Sequence, residues 1–243
     1  MDFGLIVDLE TTGLDPEAGR IIEIGLIEFA VEGDELPVVT RSYGALQDPG
    51  IPLPPEVTRI TGIAPGHVVG QAIDWNIVAS FFSRASIVIA HNAEFDRAFL
   101  TAHWQRTNSA PANMPHWACS MRHIDWKKHN FNTQALNYLA ADHGFVNPFA
   151  HRALFDCATT FRLISPYLKE LIARSYEREV VVKAVNSPFE SKDVLRARGY
   201  RWDPNERCWG KVIAESGLND ERQFLAADVY KGEPRHFETV IEH

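Results

Sequence analysis

An apolar run near the start of the chain closes on two carboxylates, in Leu5-Ile6-Val7-Asp8-Leu9-Glu10. A β-strand sends residues i and i+2 to the same face. A strand through this segment therefore aims Asp8 and Glu10 together and turns Leu9 away. Thr11-Thr12-Gly13 is expected to break the strand directly after Glu10. Two convergent carboxylates at a strand end can hold a hard divalent cation such as Mg²⁺ or Mn²⁺. Two solvated acids at an exposed strand end would have the same spacing.

The segments that follow set a mixed architecture. Phe3 to Leu9, Arg20 to Phe29 and Val38 to Tyr43 read as three strands, the second rich in β-branched residues. Gly33-Asp34 marks the turn between the last two. Prolines at 49, 52, 54, 55 and 65 make residues 48–66 an irregular surface segment. Apolar spacing of Ile73, Ile77, Val78 and Phe81 predicts a helix over 72–84. Ser86 to Ala90 is a short buried strand, followed by helices over about 93–106, 134–143 (ending at Gly144) and 153–171. Strands first, then strand–helix alternation, give an α/β fold with helices packed on a mixed sheet.

Composition bounds the function classes. With 243 residues, 45 % hydrophobic and 23 % charged, the chain can bury a sizeable core. No apolar run reaches the ~20 residues of a membrane helix, and no basic-then-apolar leader opens the chain. Cys119, Cys157 and Cys208 are odd in number and lack C-x-x-C spacing. That pattern suits reduced thiols and a cytoplasmic location, and argues against a disulfide frame or a zinc site. The net charge of −8 disfavours a general nucleic-acid coat. It is compatible with a nuclease, whose bound cations invert the local potential.

Two further clusters join Asp8 and Glu10. In His91-Asn92-Ala93-Glu94-Phe95-Asp96 a buried strand gives way to a helix, and Asp96 falls in its first turn. A carboxylate there is favoured by the helix dipole, so simple capping explains Asp96 taken alone. In His151-Arg152-Ala153-Leu154-Phe155-Asp156 the His and Asp are five residues apart. On one helix that is about 140° of rotation. If both serve one site, His151 must precede the helix and Asp156 must lie within it.

These three clusters, in this order, resemble the DEDDh family of 3′→5′ exonucleases. The matching stretches are VDLETTGLDP, HNAEFD and HRALFD, with weaker likeness in VTRITGI and LNYLAADHG. The likeness spans about residues 3–171 and is strongest to the proofreading, epsilon-type subunits of bacterial DNA polymerase. It implies a ribonuclease H-like fold. Asp8, Glu10, Asp96 and Asp156 would hold two Mg²⁺ or Mn²⁺ ions, and His151 would be the general base. A pocket for the 3′-terminal nucleotide would involve Leu9, Thr11, Thr12, Leu14, Ile60, Gly62 and Phe95.

Implied substrates are single-stranded DNA or 3′ ends, in repair or proofreading, with RNA as the alternative. A non-catalytic polymerase-associated or nucleic-acid-binding subunit is the reading from another class. The resemblance leaves open a DNA polymerase partner and a homodimer.

The match leaves a C-terminal module uncovered, which divides the chain into residues 1–174 and 178–243. Glu179 to Val185 reads as a strand, and Ser187-Pro188-Phe189-Glu190 as a capping box opening a helix that ends at Gly199. Tyr200-Arg201-Trp202 and Arg207-Cys208-Trp209 flank a hairpin turn, and Leu218 to Tyr230 is a closing helix. This is a small α+β unit. Eight Lys or Arg and five Asp or Glu lie between Arg178 and Lys211, interleaved with Tyr200, Trp202 and Trp209. Aromatics among cations suit single-stranded nucleic acid. A module this small also needs a core, to which Trp202 and Trp209 are assigned.

Overall fold

The β-branched run from Ile21 builds an interior strand of the first sheet. Strand β2 (Ile21–Val31) is buried at every residue but the last. Such side chains favour extended backbone and pack well on a pleated surface. β2 pairs antiparallel with β1 (Asp2–Thr11) and with β3 (Val38–Leu46). On the far side of β1, β4 (Ile87–Ala90) and then β5 (His116–Cys119) run parallel to it. The order is β3-β2-β1-β4-β5. The computed structural model describes residues 2–33, 35–232 and 236–241. Asp34, half of the expected Gly33-Asp34 turn, lies outside the described residues.

Alternation along β1 decides what each side of the sheet does. Leu5, Val7 and Leu9 pack with Val78, Phe81 and Phe82 of α3 (Trp75–Phe82) and with Phe99, Leu100 and Trp104 of α4 (Ala93–Thr107). Ile6 packs on the other face, with Cys157, Leu163 and Ile164 of α6 (Ala153–Ile164) and with Leu168 and Leu171 of α7 (Leu168–Ser175). Leu139 of α5 (Leu136–Asp142) completes that face. Asp8 and Glu10 share the parity of Ile6, so they face α6. The expected mixed sheet flanked by helices is thus present.

Several boundaries differ from the sequence reading. β1 runs on through Thr11, so Thr11-Thr12 does not end the strand at Glu10. Continued pairing with β2, shifted by one bulge after Glu10, carries it further. The proline-rich segment is not wholly irregular, because Pro55 and Pro65 open two short helices, α1 (Pro55–Thr61) and α2 (Pro65–Val68). β5 was not anticipated: its four residues are too short for periodicity to reveal. The single helix expected over 153–171 is two, broken by a 3₁₀ turn at Ser165–Tyr167. Pro166 lacks the N–H that would continue the ladder.

By its contacts the chain divides into two units, Met1–Ser175 and Tyr176–His243. The second has a sheet of order β7-β8-β6-β9, built from β6 (Glu179–Ala184), β7 (Arg201–Asp203), β8 (Cys208–Ala214) and β9 (His236–Ile241). β9 was not foreseen. Val180, Val182 and Ala184 pack against Leu195 of α8 (Lys192–Arg198). Leu225 and Val229, in the π-helical turn after α9 (Leu218–Phe224), close the core. The capping box does not form: Phe189–Ser191 is a 3₁₀ turn whose N-cap is Pro188, without side-chain capping. Gly199 ends α8 at φ 97°, as the sequence required. Trp209 packs at the edge of this core, but Trp202 does not join it and is 50 % exposed. Trp202 lies on a three-residue edge strand, where its ring meets Trp209 edge-on.

Candidate active site

Three elements bring the expected carboxylates together. β1 brings Asp8 and Glu10, α4 brings Asp96 in its first turn, and α6 brings Asp156 in its first turn. His151 lies in the loop before α6, with φ 61°. Its backbone N–H donates to Asp156 Oδ2 at 3.0 Å. Asn147 Nδ2 donates to Asp156 Oδ1 at 2.5 Å. The loop geometry that the five-residue spacing demanded is therefore held by the carboxylate itself. Donor atoms of Glu10, His151 and Asp156 all lie within 4.8 Å of one another.

Close approach of α6 depends on one glycine. Gly25 pairs with Asp8 across β1 and β2. A Cβ there would sit 2.3 Å from the Ala153 carbonyl carbon. Only a bare backbone lets the start of α6 reach the strand beside the carboxylates. Glu23, opposite Glu10, then ties that helix down. Its carboxylate accepts Arg152 Nη2 at 2.8 Å and Nε at 3.1 Å, and the Ala153 N–H at 3.0 Å.

The site is anionic and partly buried. Burial, then the charges of Asp96, Asp156, Glu10 and Glu23, hold the Asp8 carboxyl well above the usual carboxylate range. Burial, then Asp156 and Glu23, push Glu10 up to about 8, with Arg152 pulling the other way. Asp96 is raised chiefly by burial, opposed by backbone N–H groups of Asp96 and Leu9. Its Oδ1 is buried and has no hydrogen-bond partner. Burial raises Asp156 too, against the pull of His151 and Asn147. Hard oxygen donors, crowded until they resist ionising, fit divalent cations.

A profile of the family described as Exonuclease (RNase_T) matches residues 5–164. The chain belongs to this exonuclease family. Over 169 residues it is 27 % identical to the DNA polymerase III subunit epsilon of Aquifex aeolicus (strain VF5), covering 69 % of this chain and 81 % of that one. Its fold is similar to Exonuclease X in complex with 5′-overhanging duplex DNA. That likeness has a TM-score of 0.52 and 20 % identity, over 71 % of this chain and 99 % of the other. The nuclease domain of 3′hExo, a DEDDh family member bound to rAMP, superposes with a TM-score of 0.55 and 16 % identity. It covers 70 % of this chain and 92 % of that one. The protein is a 3′→5′ exonuclease of the DEDDh type, similar to epsilon subunits, and its family uses divalent metal.

The exonuclease distributes the expected pocket residues unevenly. Leu14 and Phe95 line one small open pocket with Pro16, Asn92, Glu94, Ala98 and Phe99. Thr11 and Thr12 are buried and absent from its lining. Thr11 Oγ1 donates to the Gly13 carbonyl at 2.6 Å, and Thr12 Oγ1 accepts the Arg20 N–H at 2.9 Å, so both hydroxyls shape the turn. The Leu9 side chain belongs to the core, and its N–H serves Asp96. Ile60 and Gly62 lie at the end of α1, outside this pocket.

Sequence reasoning missed Glu23, Asn147, Gly25 and His91 as supports. His91 bonds Ser120 Oγ and the Gln134 carbonyl, each at 2.8 Å, which fixes the turn leading to Asp96. Burial pushes its pKa down to about 4, which keeps the ring neutral. Glu23 did carry a signal: an acid inside a β-branched run needs a partner wherever that run is buried.

Proposed function

We propose that this exonuclease removes nucleotides from the 3′ end of single-stranded DNA and releases nucleoside 5′-monophosphates. The observation that carries the reading is the convergence of Glu10, His151 and Asp156 donor atoms within 4.8 Å, beside the crowded Asp8 and Asp96. Two divalent cations, Mg²⁺ or Mn²⁺, held by Asp8, Glu10, Asp96 and Asp156 would supply the charge that polarises the phosphodiester and stabilises the leaving oxygen. His151 takes the proton of the attacking water as general base. Asp156 orients His151 through the loop N–H, and Arg152, locked to Glu23, holds that loop on the helix. Leu14 and Phe95 supply the apolar wall for the terminal nucleotide. Likeness to an epsilon subunit supports DNA as the substrate, a role in proofreading or repair, and association with a polymerase.

The test is Mg²⁺-dependent digestion of 5′-labelled single-stranded DNA and RNA of equal sequence. DNA is expected to shorten stepwise from its 3′ end, and His151→Ala to slow this by about 10²–10⁴-fold. Preference for RNA would move the substrate assignment to RNA. Binding without cleavage of either strand would leave a non-catalytic subunit.

A further inference from the structure

The second unit carries an open cavity that the exonuclease chemistry does not use. It has a volume of about 790 Å³ and lies where the end of β6 meets the β7–β8 hairpin. That volume is within the range of small-ligand pockets. Lys183, Asn186, Ser187, Trp202, Glu206 and Arg207 are among its lining residues.

Three features give the cavity a chemical preference. The first is an exposed aromatic face. Trp202 is half exposed, and Trp209 meets it edge-on at 5.7 Å between centroids, so the ring is braced but uncovered. The second is the pattern of charge. Lys183 is paired with Glu206, Arg196 with Asp193, and both Arg198 and Lys211 with Glu221. Arg201 and Arg207, on either side of Trp202 in the hairpin, have no carboxylate partner among the described residues. One guanidinium without a carboxylate partner, that of Arg207, therefore lines the cavity together with the exposed indole. The third is the set of short polar side chains. Asn186 and Ser187 add an amide and a hydroxyl, able to donate and accept. The hairpin holds Arg207 with a left-handed backbone, φ 53°. Asp203 fixes that turn by accepting the Asn205 and Glu206 N–H groups at 2.8 and 3.1 Å.

We infer that this cavity binds an unpaired nucleotide of a single-stranded nucleic acid, with Trp202 stacking on the base and Arg207 holding the phosphate. An aromatic platform beside an uncompensated guanidinium is what sequence-tolerant strand binding requires. Arg196 and Arg198, already paired, are minor contributors. The site lies in residues that the family match does not cover, and its assignment does not depend on the nuclease reaction.

The test uses the full chain in EDTA, so that binding is read without cleavage. Fluorescence anisotropy follows labelled dT20, rU20 and a blunt duplex, and thermal melting confirms that each variant folds. Trp202→Ala is expected to weaken binding of single strands about tenfold, and Trp202→Phe to stay within about threefold of the parent. Arg207→Ala is expected to flatten the log–log salt dependence by about 0.7. A stronger effect on dT20 than on rU20, or the reverse, identifies which strand the site prefers. Unchanged affinity in both Ala variants would overturn the inference. So would equal losses on duplex and single strand, or competition by poly-glutamate as effective as by unlabelled dT20. A failure here leaves the nuclease assignment intact, because that is read by cleavage.

Discussion

Both units of the protein bury carboxylates, and one from each, Asp96 and Glu221, are treated in opposite ways. Asp96 in the first unit is 2 % exposed, and Glu221 in the second is 3 % exposed. Each leaves one oxygen without a hydrogen-bond partner. Glu221 sets its other oxygen against two cations, Lys211 Nζ at 3.1 Å and Arg198 Nε at 3.3 Å. Asp96 is given only backbone N–H groups, with more acids around it. Burial of an acid therefore does not mark a site. A buried acid whose neighbours repel it marks one, because its charge is unmet by the protein and must be met by something that binds.

The largest test of this contrast is Asp96→Asn set beside Glu221→Gln. Asp96→Asn should lower turnover by about 10³-fold or more, since it removes charge on which the reaction depends. Its metal-free melting temperature should rise, because mutual repulsion is relieved. Glu221→Gln should do the reverse, costing about 1–2 kcal/mol of stability in the second unit with turnover largely kept. Arg198 is partly exposed, which limits that cost. Equal effects of the two variants on turnover would break the comparison.

A second test attacks the crowding at its seat. Gly25→Ala places a methyl against the backbone of Ala153, and relief must shift either α6 with Asp156 or β2 where it pairs with Asp8. Overpacking of this kind costs about 1–3 kcal/mol. Exonuclease turnover should fall along with stability, as read by digestion and melting on the same preparation. A stable, fully active variant would show that α6 can reseat.

A third test is pH. The acids of the site are raised in the folded state, Glu10 from 4.5 to about 8. The folded protein therefore holds protons that the unfolded chain has lost. The associated stability is full below the unfolded value and disappears as pH rises through the folded one. In EDTA the melting temperature should fall between about pH 5 and pH 8, by about 2–4 °C for each kcal/mol lost. Mg²⁺ should restore it at the alkaline end. A flat profile would mean that water already screens the cluster.

The smallest expected effect is again in the second unit. Lys183→Ala leaves Glu206 on an exposed hairpin, where solvent screens the ion pair. Its melting temperature should barely change.

Legibility in the sequence follows the range of the forces involved. Alternation placed Asp8 and Glu10 on one face, because a two-residue period is a property of the strand itself. The five-residue gap required His151 to precede the helix that holds Asp156, because helical rotation is equally local. The order of the three clusters was enough to identify the family, and Gly199 ended its helix as its φ required. What stayed hidden depended on elements distant in sequence. Glu23 meets Arg152 across 129 positions. Gly25 matters only because α6 lands on it, and β5 forms only because β4 offers an open edge. Trp202 was assigned to a core that edge-strand β7 does not reach. Local geometry fixes which way a side chain points. Whether it then finds a cation, a backbone or water is settled only when distant segments pack together.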